Sequence, residues 1–533
     1  MSSSGQGSDG DSPSVDERPL CPSPRRGRWT AVATSVLAQP GKVFAVAFVI
    51  VFLNISAWSL ATPLFASPDE PAQVIHAAAL VRGQLIGTPI HGSSSAYTAV
   101  TVPALIADGN RYPSCFAFKI SVPASCAEPL TTSTKEVVTT TYVGRYPPLY
   151  YALVGIPSLL TVSTTGIYLM RIVSAIICAL FIALAVMCVT AWSRRPLLLV
   201  GVLLAVTPMT LFLGGVVNPS GPEICSAICV WTSGCVLVLE RADAPPRGLV
   251  VVLMASTVAL VLSRGLSPLW VLFIVLLLAL LGGHRASLQL LRGRAMRVPI
   301  IVVIGSVVAA VVWIVLAHAN DLTPVGAVVP AHVGTGSLAL SILGDTGSWV
   351  QHMIGVFGWL DTPSPLATYL IWYAAVGFVA LCALGCSAPR GAVALLVLTA
   401  LVVLVPVILS FEQAHRLGII WQGRYIMPMA VGIPILATAL SDGVGALGQF
   451  RSRMAVVICI TLGIGEFAAF FTAQRRYASG LPGPLFPESG TWSPPTGNGL
   501  MTLWSLVASA LLVGSIALVV CRFGADDGSP QVR

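Results

Sequence analysis

The chain has 533 residues, of which 56% are hydrophobic and only 9% are charged. Soluble proteins carry roughly 25% charged residues, so this composition excludes a protein whose whole surface lies in water. A net charge of +8 would suggest nucleic-acid binding in a soluble protein, but Lys and Arg also concentrate on the cytoplasmic side of membrane proteins. We therefore predict an integral membrane protein with no nucleic-acid partner.

Residues 1–42 are polar and rich in Ser, Pro and Gly, which predicts a disordered cytoplasmic tail and no cleavable signal peptide. Apolar stretches of about 20 residues then recur, each long enough to cross ~30 Å of hydrocarbon as a helix. Backbone groups in lipid must be satisfied within the segment, so we predict an all-α polytopic bundle of about 12 transmembrane helices. The predicted spans are 43–65, 166–191, 197–215, 222–239, 248–264, 268–283, 298–317, 367–386, 391–410, 425–441, 454–473 and 500–521.

The distribution of charge orients these helices. Arg25, Arg26 and Arg28 precede the first span and favour a cytoplasmic N-terminus, so twelve spans also leave the tail at 522–533 in the cytoplasm. Residues 147–163 are apolar enough to cross as well, but a crossing there would place the later Arg-rich loops on the wrong side. We predict instead that they form a helix on the outer surface.

The irregular sequence lies on one predicted side, outside the cytoplasm. A transmembrane domain at 43–475 contains two long loops, 66–165 and 318–366, and a Pro/Gly-rich loop at 476–499 precedes the last helix at 500–521. Loops commonly carry function, so we expect the protein to act on this face. Cys115 and Cys126 share the first loop, where they form either a disulfide in an oxidising compartment or two unpaired thiols.

Two adjacent carboxylates, Asp69 and Glu70, open the first loop within Ser67-Pro68-Asp69-Glu70-Pro71. A carboxylate at the membrane edge could act as a general base toward an acceptor hydroxyl or help to hold a divalent cation. The alternative is a solvated loop start with a Pro-Asp turn.

Four arginines fall at a similar predicted depth near the outer face: Arg145, Arg171, Arg264 and Arg424. An Arg within a span is costly and usually has a partner or a polar cavity, although each one alone could extend its head to the membrane surface. Together they predict a cationic site suited to a phosphate or pyrophosphate. Asp361 in Gly358-Trp359-Leu360-Asp361-Thr362 could bind a sugar, pair with an Arg or cap a helix. None of the histidines shows metal-ligand spacing.

Several motifs in this order resemble the DUF2142 family of bacterial membrane proteins, itself similar to the GT-C superfamily of glycosyltransferases. They are Pro-Asp-Glu-Pro after the first span, Tyr-Pro-Pro-Leu-Tyr-Tyr before the second, Asn-Pro-Ser, Gly-Trp-Leu-Asp-Thr, and Gln-Gly-Arg-Tyr-x-x-Pro. The chain departs from family members at Gln73 and Ser220, where they often carry His and Asp. A metal role at those two positions is therefore not expected.

The resemblance implies transfer of a sugar from a polyprenyl-phosphate donor to a cell-envelope glycan, lipid or protein acceptor on the outer face of a bacterial plasma membrane. Asp69, with Glu70 beside it, becomes the catalytic candidate. The one cofactor that the acidic residues could hold is a divalent cation, and membrane lipid is an expected partner. The candidate substrate-binding residues are Arg145, Tyr146, Arg171, Arg264, Asp361, Gln422, Arg424 and Tyr425.

Two other classes of protein remain open at this point. A transporter or flippase of lipid-linked saccharides would also need many spans and outer arginines, but it should show inverted repeats and polar residues through the mid-membrane. A non-enzymatic membrane scaffold would need neither the aligned arginines nor the acidic pair.

Overall fold

The computed structural model describes residues 39–90, 96–240, 244–319, 328–330, 332–442, 448–481 and 483–526. Residues 1–38 of the predicted N-terminal tail lie outside the described residues, and so do residues 527–533 of the predicted C-terminal tail.

Helices make up most of the described chain, and a few short strands lie in its loops. In chain order the helices are α1 (Pro40–Ala61), α2 (Glu70–Leu80), α3 (Ala104–Ala107), α4 (Pro148–Gly155), α5 (Pro157–Leu160), α6 (Thr164–Trp192), α7 (Leu197–Ala205), α8 (Pro208–Gly214), α9 (Ser220–Leu239), α10 (Arg247–Val261), α11 (Ser267–Gly282), α12 (His284–Arg292), α13 (Arg294–Leu316), α14 (Thr335–Gly344), α15 (Thr346–Gly355), α16 (Leu366–Cys386), α17 (Pro389–Leu417), α18 (Met427–Ala430), α19 (Gly432–Ser441), α20 (Gly448–Ser479) and α21 (Asn498–Asp526). The strands are β1 (Thr88–Pro89), β2 (Thr98–Pro103), β3 (Glu136–Thr141), β4 (Val356–Phe357) and β5 (Thr362–Pro363).

The predicted all-α, polytopic membrane architecture is confirmed. Among the described residues, eight helices are long and apolar enough to cross a membrane: α1, α6, α9, α13, α16, α17, α20 and α21. Two bent pairs, α7–α8 and α11–α12, raise that number to as many as ten. Two further predicted spans correspond to α10 and to the interrupted helix α18–α19, which are shorter than 18 residues. Helix length and composition therefore give eight to ten spans, against the twelve predicted.

The first long loop is folded rather than irregular. Its strands form an antiparallel sheet in the order β1-β2-β3, with Thr88 opposite Ala99 and Val100 opposite Thr139. The amphipathic helix α2 packs against this sheet and against α4. The loop thus has its own apolar core, built from residues that include Val74, Ile75, Val100, Val102 and Tyr151. This core fixes the position of the acidic pair at the start of α2.

The apolar segment 147–163 forms the two short helices α4 and α5. Together they run from Pro148 to Leu160, and at 1.5 Å per residue they are about 20 Å long, shorter than the ~30 Å hydrocarbon layer. Tyr150 and Tyr151 are buried against the loop core, whereas Leu160 is 78% exposed. The outward apolar side suits a helix at the membrane interface.

Arg476, near the end of α20, joins the loops to one another. Its guanidinium is fully buried and donates to the carbonyls of Phe116 (2.8 Å) and Val122 (2.8 Å) in the first loop. It also donates to Asp361 Oδ2 (3.2 Å) in the second loop. A disulfide between Cys115 and Cys126 closes the segment that Arg476 holds. The loops therefore form one ordered cover over one end of the bundle, which we call the loop end.

His76 in α2 gives the loop core a pH dependence that can be measured. Its side chain is fully buried against the Tyr151 ring, and neither ring nitrogen has a hydrogen-bond partner in the described chain. Burial lowers the pKa of His76 to about 3, against 6.5 for an exposed imidazole. Below pH 6.5 the unfolded chain takes up a proton that the folded chain does not, so stability falls as the pH is lowered.

We expect the wild-type protein in detergent to be less stable at pH 5 than at pH 8 by about 2 kcal/mol through this residue alone. His76→Phe keeps a ring against Tyr151 and removes the proton, so it should remove that part of the pH dependence. Thermal unfolding of both proteins at the two pH values is the measurement. An equal pH dependence in the two proteins would show that His76 does not titrate as described.

Candidate functional site

Asp69 lies at the loop end of the bundle, immediately before α2. Its backbone is in the left-handed region with φ 64°, which turns the chain out of the first span and into the helix. The carboxylate accepts hydrogen bonds from Arg424 Nη2 and from the Tyr142 hydroxyl (2.7 Å), and the side chain is 27% exposed. Burial, and then the charge of Asp69, raise the pKa of Tyr142, so its hydroxyl remains a donor to the carboxylate at neutral pH.

Glu70 occupies a different environment from its neighbour. Both oxygens of Glu70 accept from Arg171, with Nε–Oε1 at 2.7 Å and Nη2–Oε2 at 2.6 Å, and both side chains are fully buried. The remaining Arg171 donors bind the carbonyls of Ser59, Thr62 and Pro63 at the end of α1. Every N–H of this guanidinium is therefore engaged within the protein. Arg171 thus has no donor left for a phosphate in this arrangement, and both Glu70 oxygens are used within the protein. A substrate-binding role for Arg171 and a catalytic role for Glu70 stay predictions.

Arg424 retains donors that the protein does not use. Its Nε and Nη1 are buried and have no partner among the described residues. Arg424 lines a small, partly open cavity together with Pro68, His352, Leu360 and Gln422. Gln422 Oε1 and His352 Nδ1 are likewise buried and unpartnered there. Unsatisfied buried polar groups are costly, so several of them around one cavity indicate a ligand site.

Arg264 lies close to the ring of Tyr425, as Arg424 does. Its guanidinium is 4.7 Å from the centroid of the Tyr425 ring, and that of Arg424 is 5.2 Å from the same ring. Arg264 also donates to the Ser220 hydroxyl (3.0 Å) and forms an ion pair with Glu223 (3.6 Å). Two cations thus lie close to one aromatic ring, whose electron-rich face attracts both of them.

Tyr146 belongs to the same cluster. Burial raises the pKa of Tyr146, and the positive charge of Arg264 beside it acts in the opposite direction. Of the candidate substrate-binding residues, the structure thus brings together Tyr146, Arg264, Gln422, Arg424 and Tyr425, with the catalytic candidate Asp69 among them.

Two other predicted residues contribute differently. Asp361 holds loops together, accepting from Arg476 and from the backbone N–H of Phe118 (2.8 Å), which matches the option of an Arg partner rather than a sugar contact. Arg145 lies in the turn before α4, where its carbonyl accepts from the Trp313 indole (3.0 Å). Neither residue lines the cavity beside Arg424.

The backbone is strained around this cluster. Five non-glycine residues in the described chain have positive φ, and one of them, His318, directly follows α13. The other four are Phe65 and Asp69 between α1 and α2, Phe118 in the first long loop and Leu360 in the second. They are also connected, because Trp359 donates its indole N–H to the Phe65 carbonyl (3.3 Å) and Phe118 packs on Trp359. Left-handed backbone at bulky residues costs free energy and concentrates at functional sites.

Three residues of this region were absent from the sequence-based candidates. Tyr142 directly precedes the Val-Gly-Arg-Tyr-Pro-Pro segment, so its place beside that motif was a usable signal. His352 and Arg476 carry no local pattern. The pKa of His352 is lowered by burial and then by the charge of Arg424, which favours the neutral imidazole at neutral pH.

The residues do not fit a divalent-cation site. Among the described residues, no three His, Cys, Asp or Glu side chains come together as metal ligands. Asp69 and Glu70 are adjacent in sequence, but each carboxylate is paired with a different arginine. We derive no metal-dependent step.

The fold and the site define a multi-pass α-helical membrane protein with a carboxylate–arginine centre at one end, under ordered loops. The chain belongs to the DUF2142 family, described as a predicted membrane protein, whose model matches residues 52–433.

In structure the chain is similar to ArnT from Cupriavidus metallidurans bound to undecaprenyl phosphate, at 14% identity and a TM-score of 0.39, over 94% of this chain and 78% of that one. It is also similar to the apo oligosaccharyltransferase of Archaeoglobus fulgidus, at 13% identity and a TM-score of 0.32, over 83% and 56% of the two chains. No curated protein matches the chain in sequence.

Proposed function

We propose that this protein is a membrane glycosyltransferase. It moves a sugar from a polyprenyl-phosphate donor to a hydroxyl of a cell-envelope glycan, lipid or protein on the extracytoplasmic face. The observation that carries the proposal is the pair Asp69–Arg424 beside a cavity, in which the arginine keeps two buried donors without partners. This arrangement offers one group that takes a proton and one that binds a phosphate.

The donor phosphate binds Arg424, whose Nε and Nη1 have no partner among the described residues and whose positive charge favours a phosphate. Arg264, held 4.7 Å from the centroid of the Tyr425 ring, adds a second positive charge nearby. Charge develops on the phosphate oxygen as the bond to the sugar breaks, and cations preorganised in a partly buried site stabilise that charge.

Asp69 then acts as general base. The acceptor oxygen attacks the anomeric carbon as the bond between that carbon and the phosphate oxygen breaks, and the acceptor proton passes to the Asp69 carboxylate. The products are a glycoside and polyprenyl phosphate. A phosphate bound to Arg424 shares the positive charge of the guanidinium with Asp69, so donor binding weakens the ion pair and leaves the carboxylate free for the acceptor. Tyr142 continues to hold the other oxygen in place.

The acceptor approaches over the loops. Phe118 is 72% exposed, and its ring packs on Trp359 with the ring centroids 5.8 Å apart. Trp359 directly precedes Leu360, which lines the cavity beside Arg424. An exposed aromatic ring offers an apolar face to the C–H side of a sugar, so a saccharide acceptor suits this position.

The direct test is turnover of polyprenyl-phosphate sugars by the purified protein in lipid nanodiscs. Binding of undecaprenyl phosphate, compared with undecaprenol, measures the phosphate contribution separately. We expect Arg424→Gln to weaken phosphate binding at least tenfold and leave undecaprenol binding unchanged, because only the charged contact is lost. The control is Arg416→Gln, which removes an exposed arginine at the end of α17.

Two results would contradict the proposal. One is equal affinity of Arg424→Gln and the wild type for undecaprenyl phosphate. The other is the absence of turnover with a donor panel that covers hexose, pentose and aminosugar phospholipids.

A further inference from the structure

A separate surface lies at the opposite end of the bundle. Helix α11 starts near the site, where Ser267 donates to Glu223 (2.7 Å), and ends at Gly282. Helix α12 follows at a bend of 115° relative to α11. Gly283 makes this bend with φ +80°, and a Cβ there would lie 2.6 Å from Arg390 Nη1. Helix α12 therefore lies across the end of the span rather than continuing it.

The helix is amphipathic, and its cationic side and the leucines beside it are exposed in the described chain. At 100° per residue, Arg285, Gln289 and Arg292 fall on one face. Leu288 and Leu291 lie beside them, one turn apart, and are 36% and 45% exposed. No residue of α12 is buried. A helix with adjacent cationic and apolar sides is typical of the membrane interface.

Five arginines form a group at this end, on and beside α12. All five are exposed, and they lie on α12, at the start of α13 and at the start of α17: Arg285, Arg292, Arg294, Arg297 and Arg390. Within the described chain none of the five is ion-paired with a carboxylate. The sequence from residue 284 to residue 297 contains no Asp or Glu. We call these five residues together with α12 the arginine surface.

We propose that the arginine surface binds the headgroups of anionic phospholipids in the leaflet at that end of the bundle. Guanidinium groups match phosphate in charge and geometry. The leucines beside them need an apolar partner at the same depth, which the acyl boundary of a bilayer supplies and a nucleic acid or a soluble acidic protein does not. The proposal is independent of the glycosyltransferase assignment, because it concerns the other end of the molecule.

The experiment uses the full chain in nanodiscs of 70% phosphatidylcholine and 30% phosphatidylglycerol. Native mass spectrometry of the released protein counts each lipid that stays bound. We expect the wild type to retain phosphatidylglycerol in excess over its share. The double variant R285Q/R292Q should lose about tenfold or more of that preference, since each arginine near an anionic surface contributes a severalfold effect.

Two further variants separate charge from folding. R285K/R292K keeps both charges and should keep most of the preference. K119Q/K135Q removes two exposed charges from the first loop and should match the wild type. An unchanged lipid ratio in R285Q/R292Q would overturn the proposal, as would an equal loss in K119Q/K135Q. Because no buried contact is removed, the thermal midpoint of R285Q/R292Q should also equal that of the wild type.

Discussion

Asp69→Asn is expected to reduce sugar transfer by about 10²–10⁴-fold, the usual contribution of a general base. Asparagine keeps nearly the same shape and can still accept the hydrogen bond from Tyr142, but it cannot take the acceptor proton. The measurement is transfer from a polyprenyl-phosphate sugar under conditions of saturating donor. The loss should therefore appear in the rate of transfer rather than in donor affinity.

Because Asp69 forms an ion pair with Arg424, donor binding gives a second measurement on the same variant. Asp69→Asn removes the anion that competes for the guanidinium, so undecaprenyl phosphate should bind at least as tightly as to the wild type. Asp108→Asn is the matched control, because Asp108 is another first-loop carboxylate paired with an arginine, Arg111, at the protein surface. Wild-type transfer rates in Asp69→Asn would rule out its role as base. Joint loss of binding and transfer would indicate a structural role instead.

Glu70→Gln is expected to lower the free energy of unfolding by about 3–5 kcal/mol, because it leaves the fully buried Arg171 without its counter-charge. Arg171 also holds three carbonyls at the end of α1, so its position connects the first span to the loop. Arg171→Met should be similarly harmful, since it leaves Glu70 as the unpaired buried charge. The thermal midpoint in detergent is the measurement.

The double variant Glu70→Gln/Arg171→Met provides the decisive comparison. It removes both charges together, so its loss of stability should be clearly smaller than the sum of the two single losses. Asp108→Asn, which breaks an exposed ion pair in the same loop, should change the midpoint little. Additive effects of Glu70→Gln and Arg171→Met would show that the two residues do not act as a pair.

Much of the architecture could be predicted because its causes are local. A run of about 20 apolar residues must be a helix if it crosses lipid, whatever its neighbours are. The distribution of arginines argued against a crossing at 147–163, where the structure has two short helices with an apolar outward side. The number of spans was less predictable, because breaks within α7–α8 and α18–α19 depend on packing against the rest of the bundle.

The site was only partly predictable for a related reason. The sequence indicated acidic and basic residues near one face but not which of them would meet. Asp69 and Arg424 are 355 positions apart, and Glu70 and Arg171 are 101 apart. His352 and Arg476 carried no pattern, since their roles depend on the loops folding over the bundle.

The sequence by itself determined that this is a multi-pass α-helical membrane protein, that its chemistry-bearing residues gather in the loops, and that Asp69 and Glu70 are unusual. Only the tertiary structure decided that Asp69 and Glu70 have different exposures and different arginine partners. Asp69 lies before α2 in left-handed backbone and stays partly exposed beside Arg424, whereas Glu70 begins the helix and turns inward to Arg171. The physical reason is that burial and charge pairing come from distant segments brought together by packing, whereas hydrophobicity and helix length belong to the local chain.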